Sequence, residues 1–438
     1  MVEGLVNLSE INQNLINFDE AIKFILLLKR YIVVKTKKIN LNKSIGRILS
    51  KKLITLCDNP PADISSMDGY AIKKRDYNEQ IILKVIDESS AGYPSKKKIS
   101  TGQAVRIFTG GIIPLGANKV IIQENVKILN GNKIKITKCI NSQNTFIRKK
   151  GADFIKGNFI ERRTMLSPRD LLLFASMGYG KFEVYKKLKI SILSVGNELL
   201  KPGQKIKRNK IYASNAYGIS GLLRKFSCKC EILPISDDTI HSISKNLIYA
   251  LKNSDLIITI GGASVGNYDL VKDTVKKLRG KIIFEKVNVR PGKPTFAGIL
   301  KKIPIIGLPG NPVSSYVCAQ LFVIPLIEEI FNLKPKNFSL LSVHLGSDIP
   351  ANGSRMHLMR GNVSLINQKK VVSLKKEQDS SLTKTLQESN CLVIRPPYDL
   401  AKAKGDKIDI IQFNRVKSCR TLHNFFYLKI FYYFINTF

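Results

Sequence analysis

Acidic residues are scarce in this sequence. Its 438 residues include 33 Asp and Glu against 71 Lys and Arg, a formal net charge of +38. Such an excess favours anionic partners: nucleic acid, acidic lipid or a phosphate-bearing small molecule. The lysines are scattered, however, and Lys, Ile and Asn are abundant throughout, so biased composition accounts for most of the charge. No basic stretch is interleaved with aromatics, and nucleic acid is not expected as a partner. Histidines number four and none has metal-ligand spacing. The seven cysteines show no pairing pattern, and Cys228 with Cys230 alone is a weak metal signal, so free thiols in a reducing cytosol are expected. The opening residues lack a basic stretch followed by an apolar one, so no secretory leader is expected and the location expected is cytoplasmic. Residues 303–327 carry no charge, yet they contain Leu308-Pro309-Gly310-Asn311-Pro312, a turn that would break a membrane-spanning helix. No nucleophilic triad stands out.

What is present is enough for folded cores. Hydrophobic residues make up 44% and charged residues 24%. At roughly 150 residues per domain the length predicts about three domains. A helix is predicted over 18–31, where Ala21, Ile25 and Leu28 share a face. Short β-branched runs between Gly, Asn and Pro over 81–147 predict a β-rich unit. Ser167, Pro168 and Asp170 open a helix that Gly178 can end. From about 185 to 332 strands and helices alternate. The strands are KISILSV (189–195), CEILPI (230–235), DLIITI (255–260), KIIFEKVNV (281–289) and IPIIGL. Helices are predicted from Asn215, from Asp237 or Asp238, over 269–279, and from Asn311-Pro312. This alternation argues for a parallel sheet with helices on both faces, which binds ligands outside the carboxyl ends of its strands. Residues 336–412 return to short strands, a small β domain. The last stretch, 425–438, is rich in aromatics and has no functional reading.

Six motifs carry chemistry, and each alone admits a purely structural reading. Ser65–Ile72 offers Asp68 before the turn residue Gly69. Arg106–Glu124 places Thr109 before two glycines, where an anion can approach the backbone. Ile147–Gly157 sets Asp153 near Arg148, Lys149 and Lys150, expected to keep it ionised. Ser194–Leu200 puts Glu198 after the first parallel strand. Thr259–Asp273 runs from a strand through Gly261, Gly262, Ser264 and Gly266 into a helix, a phosphate cradle that matches neither the P-loop nor the dinucleotide spacing. Asp269 and Asp273 share a face there, which suits a hydrated Mg²⁺. Val289–Gly298 holds Arg290, Pro291, Gly292 and Lys293, an anion-donor turn, and LPGNP follows with a helix N-terminus open to an anion.

In this order these segments resemble the molybdopterin molybdenumtransferase family, from about residue 10 to 412. The match rests on SSMDGYAI, RIFTGG-x-x-P-x-G, R-x-x-GAD, SVGNELL, GGASVGNYD, RPGKP and LPGNPVS. The related gephyrin E domain has the same plan. The resemblance implies a multidomain α/β protein and an elongated homodimer. It implies an N-terminal domain over 1–184 with an inserted β-rich subdomain at about 58–150. A parallel α/β molybdopterin-binding domain over 185–335 follows, then a small β-barrel domain over 336–414 and the tail 415–438. It also implies the reaction: adenylylated molybdopterin and molybdate give molybdenum-loaded cofactor and AMP, with Mg²⁺. Glu198, Asp237, Asp238 and Asp269 become metal-ligand candidates. Asp153, Glu198, Asp269 and Lys293 become catalytic candidates. Asp68, Thr109, Gly261, Gly262, Ser264, Gly266, Arg290, Pro291, Gly292 and Asn311 become substrate-binding candidates, with Asp68 and Thr109 completing a cleft across the dimer.

The sequence departs from the family pattern at several positions. Asn197 and Asn267 replace usual acids, Arg290 a usual Lys, and TGG the usual TGA. His357 stands where the family's R-x-E-F has Glu. Two other activities stay open here. Molybdopterin adenylylation shares the α/β domain but is usually a single-domain activity. A non-catalytic scaffold or nucleic-acid binder would show RNA binding with a steep salt slope.

Overall fold

The structure, a computed structural model, describes residues 15–140, 143–262, 269–333 and 340–413. It divides into two compact units, residues up to 36 together with 185 onward, and Lys37–Val184.

The first unit is built on a six-stranded sheet. Its strands lie in the order Cys228–Ile232, Leu188–Val195, Leu256–Gly261, Ile303–Leu308, Phe296–Leu300 and Lys281–Phe284. The first four are parallel, and Phe296–Leu300 runs antiparallel to both its neighbours, Ile303–Leu308 and Lys281–Phe284. The fold is the α/β architecture expected, with a mixed rather than wholly parallel sheet. Residues 301 and 302 leave room only for a tight turn between Phe296–Leu300 and Ile303–Leu308, and a turn that short joins antiparallel strands. The strand expected over 281–289 splits. Lys281–Phe284 edges this sheet, and Val289–Arg290 pairs instead with Met356–His357 of the C-terminal domain.

Strand alternation is replaced by near-continuous burial in Leu188–Val195 and Leu256–Gly261, because helices cover both faces. On one face Leu193, Val195, Ile257 and Ile305 pack against Ile243, Leu247 and Ala250 of helix Ile240–Asn253 and Val271 and Val275 of helix Leu270–Lys277. Each Val, Leu or Ile among them contributes about 1.5–3 kcal/mol when fully buried. Thr239, not Asp237 or Asp238, caps the helix Ile240–Asn253 by accepting from Ser242 N. Ser214, not Asn215, occupies the cap position of helix Asn215–Arg224.

The apolar segment after LPGNP is a helix running Pro312–Ile330. It is long and apolar enough to cross a membrane by length and composition, but 83% of that stretch is buried inside the protein. It widens to a π-helix over Ala319–Val323. Pro325 explains this, since it lacks an N–H and its ring crowds the carbonyl one turn earlier. The N-terminal helix Phe18–Leu27 packs here, with the Phe18 and Phe322 rings 5.8 Å apart.

Five strands, Leu341–Leu345, Met356–Ile366, Lys369–Leu374, Cys391–Arg395 and Lys407–Gln412, close into a barrel. Val343, Leu345, Val372, Val393 and Ile410 fill it.

In the second unit a six-stranded sheet runs in the order Lys119–Ile122, Gly69–Ile72, Gln103–Ile107, Ile82–Ser89, Lys133–Ile136 and Val126–Leu129. A separate core gathers Leu49, Leu53, Phe154, Leu166, Phe174 and Phe182 around helix Pro168–Ser176. That helix carries the Ser167–Asp170 capping box, and Gly178 follows it at φ +92°.

Candidate active site

The parallel strands create the site. Leu188–Val195 is followed in the sheet by Cys228–Ile232 on one side and Leu256–Gly261 on the other, so the loops leaving the two central strands diverge. Such a divergence opens a crevice at the carboxyl ends. A cavity of about 870 Å³ lies there. Its walls include Ser194 to Gly196, Glu198, Asp238, Gly261, Gly262 and Asn311. Gly261 has φ +82°, and a Cβ there would lie 2.5 Å from Val195 O, so only glycine lets this strand end so close to its neighbour.

Glu198 is held over a bare backbone. A Cβ on Gly196 would stand 2.6–2.8 Å from its carboxylate atoms. Asn197 and Asp238 clasp each other: Asn197 N donates to Asp238 Oδ2 and Asp238 N donates to Asn197 Oδ1, each at 3.0 Å. The amide at 197 thus binds the two loops together without setting a second charge beside Asp238.

The four acids expected to share one ion do not gather. Among the described residues no three His, Cys, Asp or Glu side chains are grouped to hold a metal. Glu198 and Asp238 share the cavity wall. Asp237 is exposed and does not line it. Asp269 caps the helix Leu270–Lys277, accepting from Lys272 N at 3.1 Å, and pairs with Lys272 Nζ at 3.2 Å. Burial pushes its carboxyl above the usual range, against the pull of Lys272. A helix start needs an acceptor for its free N–H groups, and the cap used this carboxylate.

Around the anion-donor turn, Gly292 is buried and Lys293 half-buried, while Arg290 is exposed on the short strand joined to the barrel. Pro294 lines the cavity; Arg290, Pro291, Gly292 and Lys293 do not. Arg290 stands opposite His357, which stands opposite Arg395. Burial, then Arg290, Arg395, Arg355 and Arg360, push the His357 imidazole down to about 4, so it is neutral at pH 7. The helix N-terminus after Asn311 is not wholly open, because Val313 N donates to Ser380 O at 3.0 Å and Asn311 Nδ2 to Ser380 Oγ at 2.8 Å.

Three candidates lie in the second unit. Thr109 donates through both N (2.7 Å) and Oγ1 (2.9 Å) to Asp68 Oδ1, which holds that carboxyl below the usual carboxylate range. Asp153 accepts from Asn59 Nδ2 at 2.9 Å. The lysines expected beside Asp153 serve other acids, Lys149 pairing with Asp63 and Lys150 with Asp58. Ser264, Gly266 and Asn267, like the aromatic tail, lie outside the described residues.

Sequence reasoning missed several wall residues. Asn215 donates to Gly310 O at 2.6 Å, tying two loops of the cavity. Ser381 and Thr383 reach the cavity from the barrel domain. No local signal marks these two, which adjoin the site only because the segment around Ser380 folds back onto the helix at Asn311.

Comparison with known proteins agrees with this architecture. Residues 16–178 match the MoeA N-terminal region (domain I and II), 191–329 a probable molybdopterin binding domain, and 342–413 the MoeA C-terminal region (domain IV). A Haemophilus influenzae protein named molybdopterin molybdenumtransferase is 32% identical over 389 residues, 87% of this chain and 95% of that one. A Nostoc protein of the same name is 30% identical over 342 residues, 76% of this chain and 78% of that one. The crystal structure of a molybdopterin biosynthesis moeA protein from Pyrococcus horikoshii OT3 superposes with a TM-score of 0.76 at 28% identity, covering 91% of this chain and all of that one. With the three regions matched in order and most of the cavity wall lying in the probable molybdopterin binding domain, the chain belongs to the molybdopterin molybdenumtransferase family of enzymes.

Proposed function

We propose that this protein inserts molybdate into adenylylated molybdopterin, releasing AMP and giving the molybdenum cofactor in a Mg²⁺-dependent reaction. The observation that carries the reading is the cavity at the sheet's switch point, with Glu198 and Asp238 on its wall and the Lys293 turn adjoining it through Pro294.

The donor set fits a magnesium ion of a particular kind. Mg²⁺ keeps several waters and is usually bound by one or two carboxylates together with substrate phosphates. Glu198 and Asp238 supply two hard oxygen donors on one wall, without a third protein acid among the described residues. They are the residues that would hold it, and the ion would polarise the phosphate linkage that releases AMP. Asp269 is better read as the cap of the helix Leu270–Lys277 and the partner of Lys272. The Asn197 clasp fixes Asp238, and Gly196 lets Glu198 lie close to the backbone. Lys293 offers a positive charge for molybdate or phosphate. Asp68, Thr109 and Asp153 are assigned to substrate handling, and Gly261, Gly262 and Asn311 to substrate contact.

The reading includes a homodimer, checked by sedimentation, and a cytoplasmic location, which the free thiols of Cys57, Cys139, Cys228, Cys230, Cys318 and Cys391 support. Purified protein is incubated with adenylylated molybdopterin, molybdate and Mg²⁺. AMP release with molybdenum loading is the expected result. ATP consumption with free molybdopterin, and no AMP release, would replace this reading with the adenylylating one.

A further inference from the structure

We propose that Thr295 and Cys318 are positioning residues that pin the Gly292–Lys293 turn from beneath and so set where the Lys293 ammonium meets its anion. The proposal rests on the function above. Among the described residues no hydrogen bond or ion pair fixes that ammonium, so its place depends on the backbone that carries it.

The turn is held by a small set of contacts. Val287 N donates to Lys293 O at 2.9 Å, and Thr295 N donates to Gly292 O at 3.0 Å. The Thr295 hydroxyl donates to the same Gly292 carbonyl at 2.8 Å, and its oxygen lies 3.3 Å from Cys318 Sγ. Thr295 and Cys318 are fully buried. A hydroxyl has one proton, which the carbonyl takes. Cys318 Sγ lies within reach of the same hydroxyl, and burial pushes its thiol up to about 12, so the sulfur stays protonated and uncharged beneath the turn.

The same sulfur limits the turn sterically. Gly292 has φ +128°, and a Cβ there would stand 2.5 Å from Cys318 Sγ and 3.0 Å from Val289 Cγ2. The turn therefore rests directly on Cys318. Cys318 belongs to the helix whose first residues, Pro312 and Ser314, line the cavity, and Pro294 lines it beside them. Turn and cavity wall are thus linked through two buried side chains, and Lys293 keeps its register to the wall.

The test separates positioning from packing. Thr295→Val keeps the shape and removes the hydroxyl. It should lower kcat/KM for molybdate about tenfold, chiefly by raising KM, with pterin binding retained. Thr295→Ser restores the hydroxyl and should recover activity to within about twofold. Combined with Lys293→Gln, Thr295→Val should add little further loss, because both act on one group. Wild-type kinetics for Thr295→Val, equal impairment in Thr295→Ser, or independent losses in the double variant would each overturn the proposal. If Thr295→Val does not fold, Cys318→Ala and Cys318→Ser carry the same comparison. Calorimetric titration with molybdate alone, without pterin, supplies a second readout. Weakened binding in Thr295→Val with no AMP release by wild type would sink the function and leave the pin standing.

Discussion

Replacing Gly196 by alanine moves the Glu198 carboxylate without altering its charge. The new Cβ would lie 2.6 Å from Oε2, 2.7 Å from Oε1 and 2.8 Å from Cδ. An ordinary contact needs about 3.4 Å, so the carboxylate must retreat by roughly 0.8 Å. Glu198 is exposed, so its side chain can yield locally, but Gly196 itself sits at φ +157°, a conformation alanine rarely adopts, so the variant should also lose about 1–2 kcal/mol of stability, checked by its melting temperature. A misplacement of about 1 Å at a reacting centre can cost roughly a hundredfold in rate. We therefore expect Gly196→Ala to cut molybdate-dependent AMP release by about ten- to a hundredfold, approaching Glu198→Gln, while binding of the pterin substrate, followed by fluorescence titration, stays within about threefold. Full turnover in Gly196→Ala, with the fold intact, would refute the argument that this carboxylate's position matters. Equal loss of pterin binding in both variants would show that Glu198 holds substrate rather than acting on it.

Outcomes at three further positions follow from the structure. The depressed His357 makes the protein less stable as pH falls from 6.5 toward 4, since the unfolded chain takes up the proton first. That fall is worth at most ~3 kcal/mol, about half of it at a half-buried ring, and the loss should vanish from acid-denaturation curves of His357→Gln. His357→Glu places a carboxylate among Arg290, Arg355, Arg360 and Arg395 and should raise the melting temperature at pH 7. Asp269→Ala removes a helix cap and one partner of buried Lys272, so urea unfolding should show a loss of about 2–3 kcal/mol, with Asp269→Asn milder; unchanged stability with lost turnover would return Asp269 to the ligands. Asn311→Ala breaks the bond to Ser380 and should raise KM with under about 1 kcal/mol lost in stability; an unchanged KM would deny the barrel segment a role in the site.

Local sequence determined the elements with strong signals. Leu188–Val195 and Leu256–Gly261 are uninterrupted β-formers, and Ser167-Pro168-x-Asp170 spells a helix start, so each was legible without a neighbour. Glu198, Asp238, Gly261, Gly262 and Asn311 fall after strands of an α/β pattern, and the cavity joins all five. Met356–Ile366, the longest barrel strand, was not legible, because His357, Arg360, Gly361 and Asn362 have weak strand preference and only closure of the barrel pairs them. Nor was the fate of Asp269. An acid after a glycine-rich loop reads as a metal ligand or as a cap, and the choice depends on Lys272 lying one turn on and being buried with it. Residue type and order determine which groups can do chemistry. Tertiary packing decides which of them face one cavity, because direction and burial depend on neighbours far away in the chain.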